Sequence, residues 1–301
     1  METSFGRSRT APAAAHPRTI VVGVDPTGSS RGAEFWAAEE ADQTRSPIRF
    51  VTAVRPADGA SVRDPGPVTT PLRTQWIDTH SRSVPGDPAD VLVEAAGDAA
   101  LLVVGRRDTS RLALSPVGST SFAVAGRSSV PVVVVPQRWV QAPRSSAPIV
   151  VGVAGPDLPS ASGLADSTDE EVLAFACARA ARLRVPLVVV SAWEIPALLA
   201  WSPGDIARCR TDNELALERL LEPWRAEYPE AEIVAHCVAE TAKQALLDAV
   251  EVAQLTVVGR HTARHKAGFS FGATARGVVH HATHPVAVVP VTPPRDLVAG
   301  G

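Results

Sequence analysis

The sequence predicts an α/β fold in which two open, parallel, five-stranded sheets follow one another along the chain. Three observations lead there. Short apolar runs rich in Val and Ile alternate with segments of helical period. The chain is 45% hydrophobic but only 5% aromatic, the balance of strands buried on both faces beneath helices. One unit also occurs twice. Leu101–Pro136 reads strand, glycine-flanked loop, helix, strand, and Leu255–Pro290 repeats that order, with Gly105 to Gly118 and Gly259 to Gly272 each spanning 13 positions.

Taken in order, Thr19–Val24 is an apolar strand closed by Asp25. Ser29 or Ser30 then caps a helix running to about Arg45. Glu34, Phe35, Ala38 and Glu39 give it an amphipathic pattern, with the EEAD stretch (39–42) on the wet side. Pro47 breaks the helix, and Ile48–Val54 is the second strand of a right-handed parallel crossover. Arg55–Pro71 holds several Pro and Gly without a helical period, and Thr74–Arg82 alternates weakly, as a third, edge-like strand would. Asp87 is an N-cap, with Pro88 at the first helical position and Asp90 in the first turn. LLVVG is strand four, a helix opens near Ser119, and PVVVVP is strand five.

The second copy begins at PIVVGVAG. It is longer between its second and fourth strands, where Thr211–Glu227 carries Leu215, Leu217, Leu220, Leu221 and Trp224 at helical spacing. The first copy has no such segment, so its second helix is read as degenerate. The expected domains are 18–137 and 148–291, joined by a linker at 138–147, with disordered tails at 1–17 and 292–301.

Composition narrows the function. A net charge of −3 makes no electrostatic case for nucleic acid or membrane. No apolar run approaches the roughly 20 residues that span a bilayer. The only lysines are Lys243 and Lys266, and neither follows a glycine, which excludes a P-loop. Cys177, Cys209 and Cys237 are odd in number and lack metal-type spacing, which suits a reducing cytoplasm and no disulfide framework.

An open parallel sheet binds ligands at the carboxyl ends of its strands, beside the switch in strand order. If strands one and four adjoin there, Asp25 and the Gly105 loop share a crevice. Glycines let backbone approach an anion, and the helix opened by Gly118, Ser119 and Thr120 aims free N–H groups at phosphate.

With VVGVD, GDPADVL, AALLVVGRR, LAWSPGD, LLEPWRAEYPE and HHATHPVAVVP in place across residues 18–291, the chain resembles a tandem universal stress protein of actinobacterial type. The resemblance implies Rossmann-like domains of strand order 3-2-1-4-5, pairing through strand five, and ATP binding, with Mg, in a subset of members. Residue by residue, Asp25 matches the adenosine-side Asp and Ala53 the strand-two position that meets adenine. Val104, Gly105, Gly118, Ser119 and Thr120 match the phosphate side. Asp108 stands where the motif has its second Gly, with Arg106, Arg107 and Arg111 available to offset it. In the second copy Gly259, Gly272 and Thr274 remain, but Ala154 replaces the strand-one Asp, Thr262 the second Gly and Ala273 the Ser. His261, Arg264, His265 and Lys266 keep that loop basic.

Three patterns mislead. Gly268–Gly272 spells G-x-S-x-G, but a nucleophile elbow must directly follow a strand and precede an acid and then a His, and no acid lies between it and the last His. His280 and His284 are spaced to share a helix face, without a third ligand type nearby, and read as structural. Trp193, Trp201 and Trp224 read as packing residues. The expectation is a cytoplasmic, non-enzymatic regulatory module that binds ATP without efficient turnover. The alternative is a degenerate scaffold for dimerisation or protein interaction. Partners are an adenine nucleotide and a second copy, or the two halves paired through strand five. No catalytic residue, metal ligand, nucleic acid or membrane is expected.

Overall fold

The computed structural model describes residues 19–54, 77–107, 119–140, 146–154, 168–194, 203–250, 253–261, 264–265, 268–269 and 272–291. The first half runs β1 (Ile20–Gly23), α1 (Arg31–Thr44), β2 (Ile48–Val54), β3 (Thr79–Pro85), α2 (Pro88–Ala95), β4 (Leu101–Arg106), α3 (Ser119–Arg127) and β5 (Val132–Pro136). The second runs β6 (Ile149–Val153), α4 (Thr168–Leu183), β7 (Leu187–Ala192), α5 (Pro203–Glu227), β8 (Ile233–Val238), α6 (Ala242–Val250), β9 (Leu255–His261), the short β10 (Arg264–His265) and β11 (Gly268–Phe269), α7 (Ala273–His281) and β12 (Val286–Val291).

The main strands form one sheet of order β3-β2-β1-β4-β5-β12-β9-β6-β7-β8. Among the described residues each half of this sheet has the 3-2-1-4-5 order with parallel neighbours, and the halves meet in an antiparallel seam of β5 against β12. Val133 faces Ala287, Val134 faces Val286 and Val132 faces Val288, so a pseudo-twofold axis passes through the Val133–Ala287 pair. The halves pair within one chain through strand five, one of the two arrangements open from sequence.

Apolar residues on both sheet faces explain why nearly continuous Val/Ile/Leu runs form these strands. On one face Trp36, Ala37 and Ala41 of α1, Leu173, Ala176 and Ala180 of α4, and Leu217 and Leu221 of α5 are buried over β-strand residues of both halves. On the other, α2, α3, α6 and α7 contribute Leu92, Val124, Leu246 and Val278. The duplication reaches the level of single contacts. A Cβ on Gly23 would lie 2.9 Å from Leu92 Cδ1, and one on Gly152 would lie 2.9 Å from Leu246 Cδ1. Each glycine thus lets a helix settle directly on the first strand of its half.

Several expectations change. Asp87 caps α2 as anticipated, accepting from the Ala89 amide at 2.9 Å with Pro88 in the first turn. Ser30 takes the N-cap position of α1, but its hydroxyl donates to Glu34 instead of capping the backbone. The EEAD stretch is wet only in part: Glu39 is exposed and Asp42 half-buried, but Glu40 and Ala41 are buried, and Phe35 is exposed. The α1 surface facing the second half is covered by α4, a neighbour that no periodicity within α1 can report. The third strand begins at Thr79, not Thr74, because pairing of Ile48 with Thr79 sets its start. Its polar, largely exposed residues fit an edge. The long helix starts at Pro203, eight residues earlier than its Leu spacing suggests, with Pro and Asp in its first turn. Leu215 is exposed, while Leu217 and Leu221 are buried. The segment behind the degenerate-helix reading of the first half (55–76), the middle of the linker and both tails lie outside the described residues.

Candidate functional site

At the carboxyl end of β1 the chain turns sharply at Asp25. The Thr27 amide donates to Asp25 Oδ1 at 2.9 Å, the Ser29 hydroxyl donates to Oδ2 at 2.6 Å, and the Asp25 amide donates to Ser30 Oγ at 3.0 Å. Gly28, at φ +80°, closes the turn by donating to the Asp25 carbonyl, a left-handed conformation that suits glycine. Partial burial pushes the Asp25 carboxyl pKa upward. The Ser29 and Thr27 hydrogen bonds, helped by the charge of Arg107, outweigh this and hold it below the ordinary carboxylate range. The result is an oriented, ionised acceptor with lone pairs to spare.

Strands β1 and β4 are neighbours, Val22 opposite Val103, so Asp25 and the start of the Gly105 loop share one end of the sheet. Val104 is buried against the α2/α3 side and Ala53 is partly buried on the same side. Ser119 and Thr120 begin α3, which places its free N–H groups after the loop. Gly118, Asp108 and Arg111 lie outside the described residues.

Gly105 itself has a packing reason. A Cβ there would sit 2.9 Å from the Ser29 carbonyl oxygen and 3.2 Å from Ser30 Cα, both backbone atoms of the turn that carries Asp25. Gly105→Ala is therefore expected to lower stability by about 1–3 kcal/mol in the absence of any nucleotide, measured by urea unfolding. An unchanged midpoint would return the glycine to a purely ligand-facing role. Arg106, expected beside Asp108 as an offsetting charge, is engaged across the seam instead. Buried, it donates to the His280 and Ala282 carbonyls at 2.9 and 2.7 Å, at the far end of α7 in the other half. Arg260 does the same in return, donating to the Gly126 and Ser128 carbonyls at the end of α3.

The second crevice has a different character. The Ala154 amide donates to Asp169 Oδ1 at 3.1 Å, so a carboxylate occupies the place that the Ser30 hydroxyl takes in the first half. Asp169, Glu170 and Glu171 crowd the first turn of α4, and Glu171 Oε2 is buried with no hydrogen-bond partner among the described residues. Gly259 would bring a Cβ to 3.1 Å from Val172, again a helix-packing contact. Gly272 precedes α7 with open space where a Cβ would stand, and Thr274 lies in its first turn. Thr262 and Lys266 are outside the described residues. Asp169 was missed in the sequence. It is visible only when the helices are aligned from their ends, where Arg45 and Arg184 both adopt left-handed φ (56° and 54°) and Ser30 and Asp169 then fall at one position.

The misleading patterns also separate. Gly268 and Phe269 belong to a two-residue strand paired with Arg264–His265, outside the main sheet. His280 and His281 are exposed at the end of α7 with their rings in edge contact. The helix stops there, so His284 does not share its face. Pro285 follows it and disfavours a helical residue before it. His284 is instead buried, its Nε2 sharing a 2.8 Å hydrogen bond with Thr256 Oγ1 of β9. Trp193 is buried and Trp224 stacks on Tyr228. Trp201 lies outside the described residues. The three cysteines are free, and burial raises the Cys177 thiol to about 12, leaving it unreactive. No helix among the described residues is long and apolar enough to cross a membrane.

Comparison with known proteins agrees with this fold. The universal stress protein family matches residues 72–136 and 163–290. Universal stress protein Rv2623 of Mycobacterium tuberculosis H37Rv is 29% identical over 292 residues, covering 89% of this chain and 95% of the relative. The crystal structure of a universal stress protein from Archaeoglobus fulgidus DSM 4304 aligns over 92% of this chain and 99% of its own, with TM-score 0.67 at 16% identity, a likeness of fold. A shorter universal stress protein, solved in complex with cAMP, is 31% identical and covers 41% of this chain and 99% of its own, with TM-score 0.33. The family match spans more than half the chain, in both copies of a fold that is itself doubled, and the chain belongs to the universal stress protein family.

Proposed function

We propose that this chain is a universal stress protein with one working nucleotide crevice, in its first half, which binds ATP with Mg and signals by occupancy rather than turnover. The observation that carries this is Asp25, an ionised and rigidly oriented acceptor at the carboxyl end of β1, with Arg107 close enough to lower its pKa. Its remaining lone pairs suit ribose hydroxyls, the Ala53 backbone suits the adenine edge, and Val104, Gly105, Ser119 and Thr120 with the start of α3 suit the phosphates. The bound group would supply charge and shape for a partner to read. The second crevice is assigned no nucleotide, because Asp169, Glu170 and Glu171 would repel phosphate where the first half presents a hydroxyl.

A second reading, a scaffold that binds no nucleotide in either half, is favoured by one observation: the Gly105 contact with Ser29 and Ser30 gives that glycine a reason to exist without a ligand. One experiment separates the two. Purified protein is heat-denatured and the supernatant analysed for adenine nucleotide by mass spectrometry, and unfolding is then followed with and without millimolar ATP and Mg. Ligand at 100 times its dissociation constant adds about 2.7 kcal/mol. Asp25→Ala should abolish the ligand-induced shift relative to its own baseline, while Gly272→Asp should keep it. No released nucleotide and no shift leaves the scaffold.

A further inference from the structure

The two sides of the seam between the halves differ in symmetry. On the α3/α7 side, Arg106 and Arg260 occupy equivalent places, each directly after the loop glycine of its half, and they bind equivalent carbonyls of the opposite half. That contact is the same whichever halves meet, since Arg106 of one first half would find Gly126 and Ser128 of another just as Arg260 does.

The α1/α4 side is different. Glu40 stands five residues before Arg45, and Arg179 five before Arg184, the two left-handed residues that end the helices. They are pseudosymmetry mates, and they are bound to each other. Both side chains are only 9% exposed. Glu40 accepts from Arg179 through Oε2 and from Arg182 through Oε1, the latter at 2.7 Å. The Arg179 guanidinium also lies 4.6 Å over the Trp36 ring of α1. One position of the duplicated helix thus carries opposite charges in its two copies, and the fold brings the two copies together.

We infer that Glu40 and Arg179 specify unlike pairing, so that the strand-five seam accepts a first half against a second half and rejects either half against its like. Two first halves joined by the same twofold would set Glu40 against Glu40 with no arginine at the Arg182 position, where the first helix has Gln43. Two second halves would gather two copies each of Arg179 and Arg182. An unpaired buried charge is among the strongest penalties an interface can impose, and the rest of the pairing surface is self-complementary: the Arg106 and Arg260 contacts are equivalent, and Val132–Val134 meets Val286–Val288. A surface of that kind, without the charged pair, would join copies of this chain indiscriminately. The partner this seam fits is a half of opposite charge at that one helical position, in this chain or in another of the family.

Single charge reversals impose the central like-charge contact inside the intact chain. Arg179→Glu sets carboxylate against carboxylate at the mated position, as two first halves would, with Arg182 left in place, and Glu40→Arg sets guanidinium against guanidinium, as two second halves would, with Gln43 left in place. Hydrogen exchange at the amides of β5 and β12, read at pH 7 by mass spectrometry, should accelerate roughly tenfold to a hundredfold in each single variant. It should return to within about threefold of the wild type in the double variant Glu40→Arg/Arg179→Glu, which restores opposite charges with their positions exchanged. If either single variant keeps wild-type protection, like pairing is not penalised and the inference fails. If the double variant stays as exposed as the singles, the pair contributes packing and not charge selection, which overturns the inference equally.

Discussion

Replacing Arg260 with Ala is expected to cost about 3–5 kcal/mol of unfolding free energy at neutral pH. The residue is 4% exposed, and its guanidinium donates to two carbonyls, those of Gly126 and Ser128, at 2.7 and 2.5 Å. These belong to the last turn of α3 and the residues just past it, where helical carbonyls lack partners of their own. Hydrogen bonds to a charged group contribute about 1.5–3 kcal/mol each, and the abandoned carbonyls would also pay for their burial. The macrodipole adds to the loss, since a cation leaves a helix C-terminus. Arg106→Ala should behave alike through His280 and Ala282. Lys at either place should recover less than half, because one ammonium cannot span two carbonyls with the fixed fork of a guanidinium. Equilibrium urea unfolding of the four variants checks this. A loss below about 1 kcal/mol for Arg260→Ala would mean that water substitutes for the side chain and that the seam is wetter than its burial implies.

Acid should weaken the fold through His284. Burial lowers its pKa from the ordinary value of 6.5 to about 4. Above pH 6.5 the ring is neutral folded or unfolded. Between pH 6.5 and 4 the unfolded chain holds a proton that the folded chain does not, so stability rises with pH across that window and falls on acidification. Below about pH 4 both states are protonated and the contribution is exhausted. The shift amounts to about 3 kcal/mol lost over the window. His284→Leu removes the titrating group, and although the Thr256 hydroxyl loses its partner at every pH, the slope between pH 6.5 and 4 should flatten by that amount. Urea midpoints at half-unit pH intervals, wild type against variant, provide the comparison; parallel curves would assign the acid sensitivity elsewhere. Asp25, whose carboxyl pKa is lowered, adds its own loss only at lower pH, as pH falls from the ordinary carboxylate value through its folded one.

What could be read without coordinates was whatever depends on neighbours in sequence or on the repeat. The strands were visible because Val/Ile/Leu runs buried on both faces need no partner to be recognised, and Asp87–Pro88 announces α2 locally. What could not be read lies at the seam. Glu40 looks solvated in the pattern of α1 because the groups that bury it, Arg179 and Arg182, are contributed by α4. Arg106 follows a loop glycine and looks like a phosphate ligand, yet its partners are 174 and 176 residues away. The clue was present in the repeat itself, since an arginine after the glycine of both copies, Arg106 and Arg260, serves whatever the copies share. Ala53, Val104 and Gly105 lie toward the carboxyl ends of β2 and β4, but the motif could not reveal that Gly105 is needed by the turn above it. That requirement comes from a backbone contact between β4 and a loop some 75 residues earlier.

The antiparallel seam has a consequence for anything that reads this molecule. Strands of the two halves run in opposite directions across β5 and β12, so the carboxyl ends of β1 and β4 point one way and those of β6 and β9 the other. The two crevice mouths open toward opposite horizons of one continuous sheet. A flat docking protein can inspect one mouth and remain blind to the second, and a reader of both would have to reach around the molecule like a calliper. If the first crevice holds the proposed nucleotide and the acidic turn at Asp169 keeps phosphate from the second, occupancy is displayed on one edge of the molecule alone.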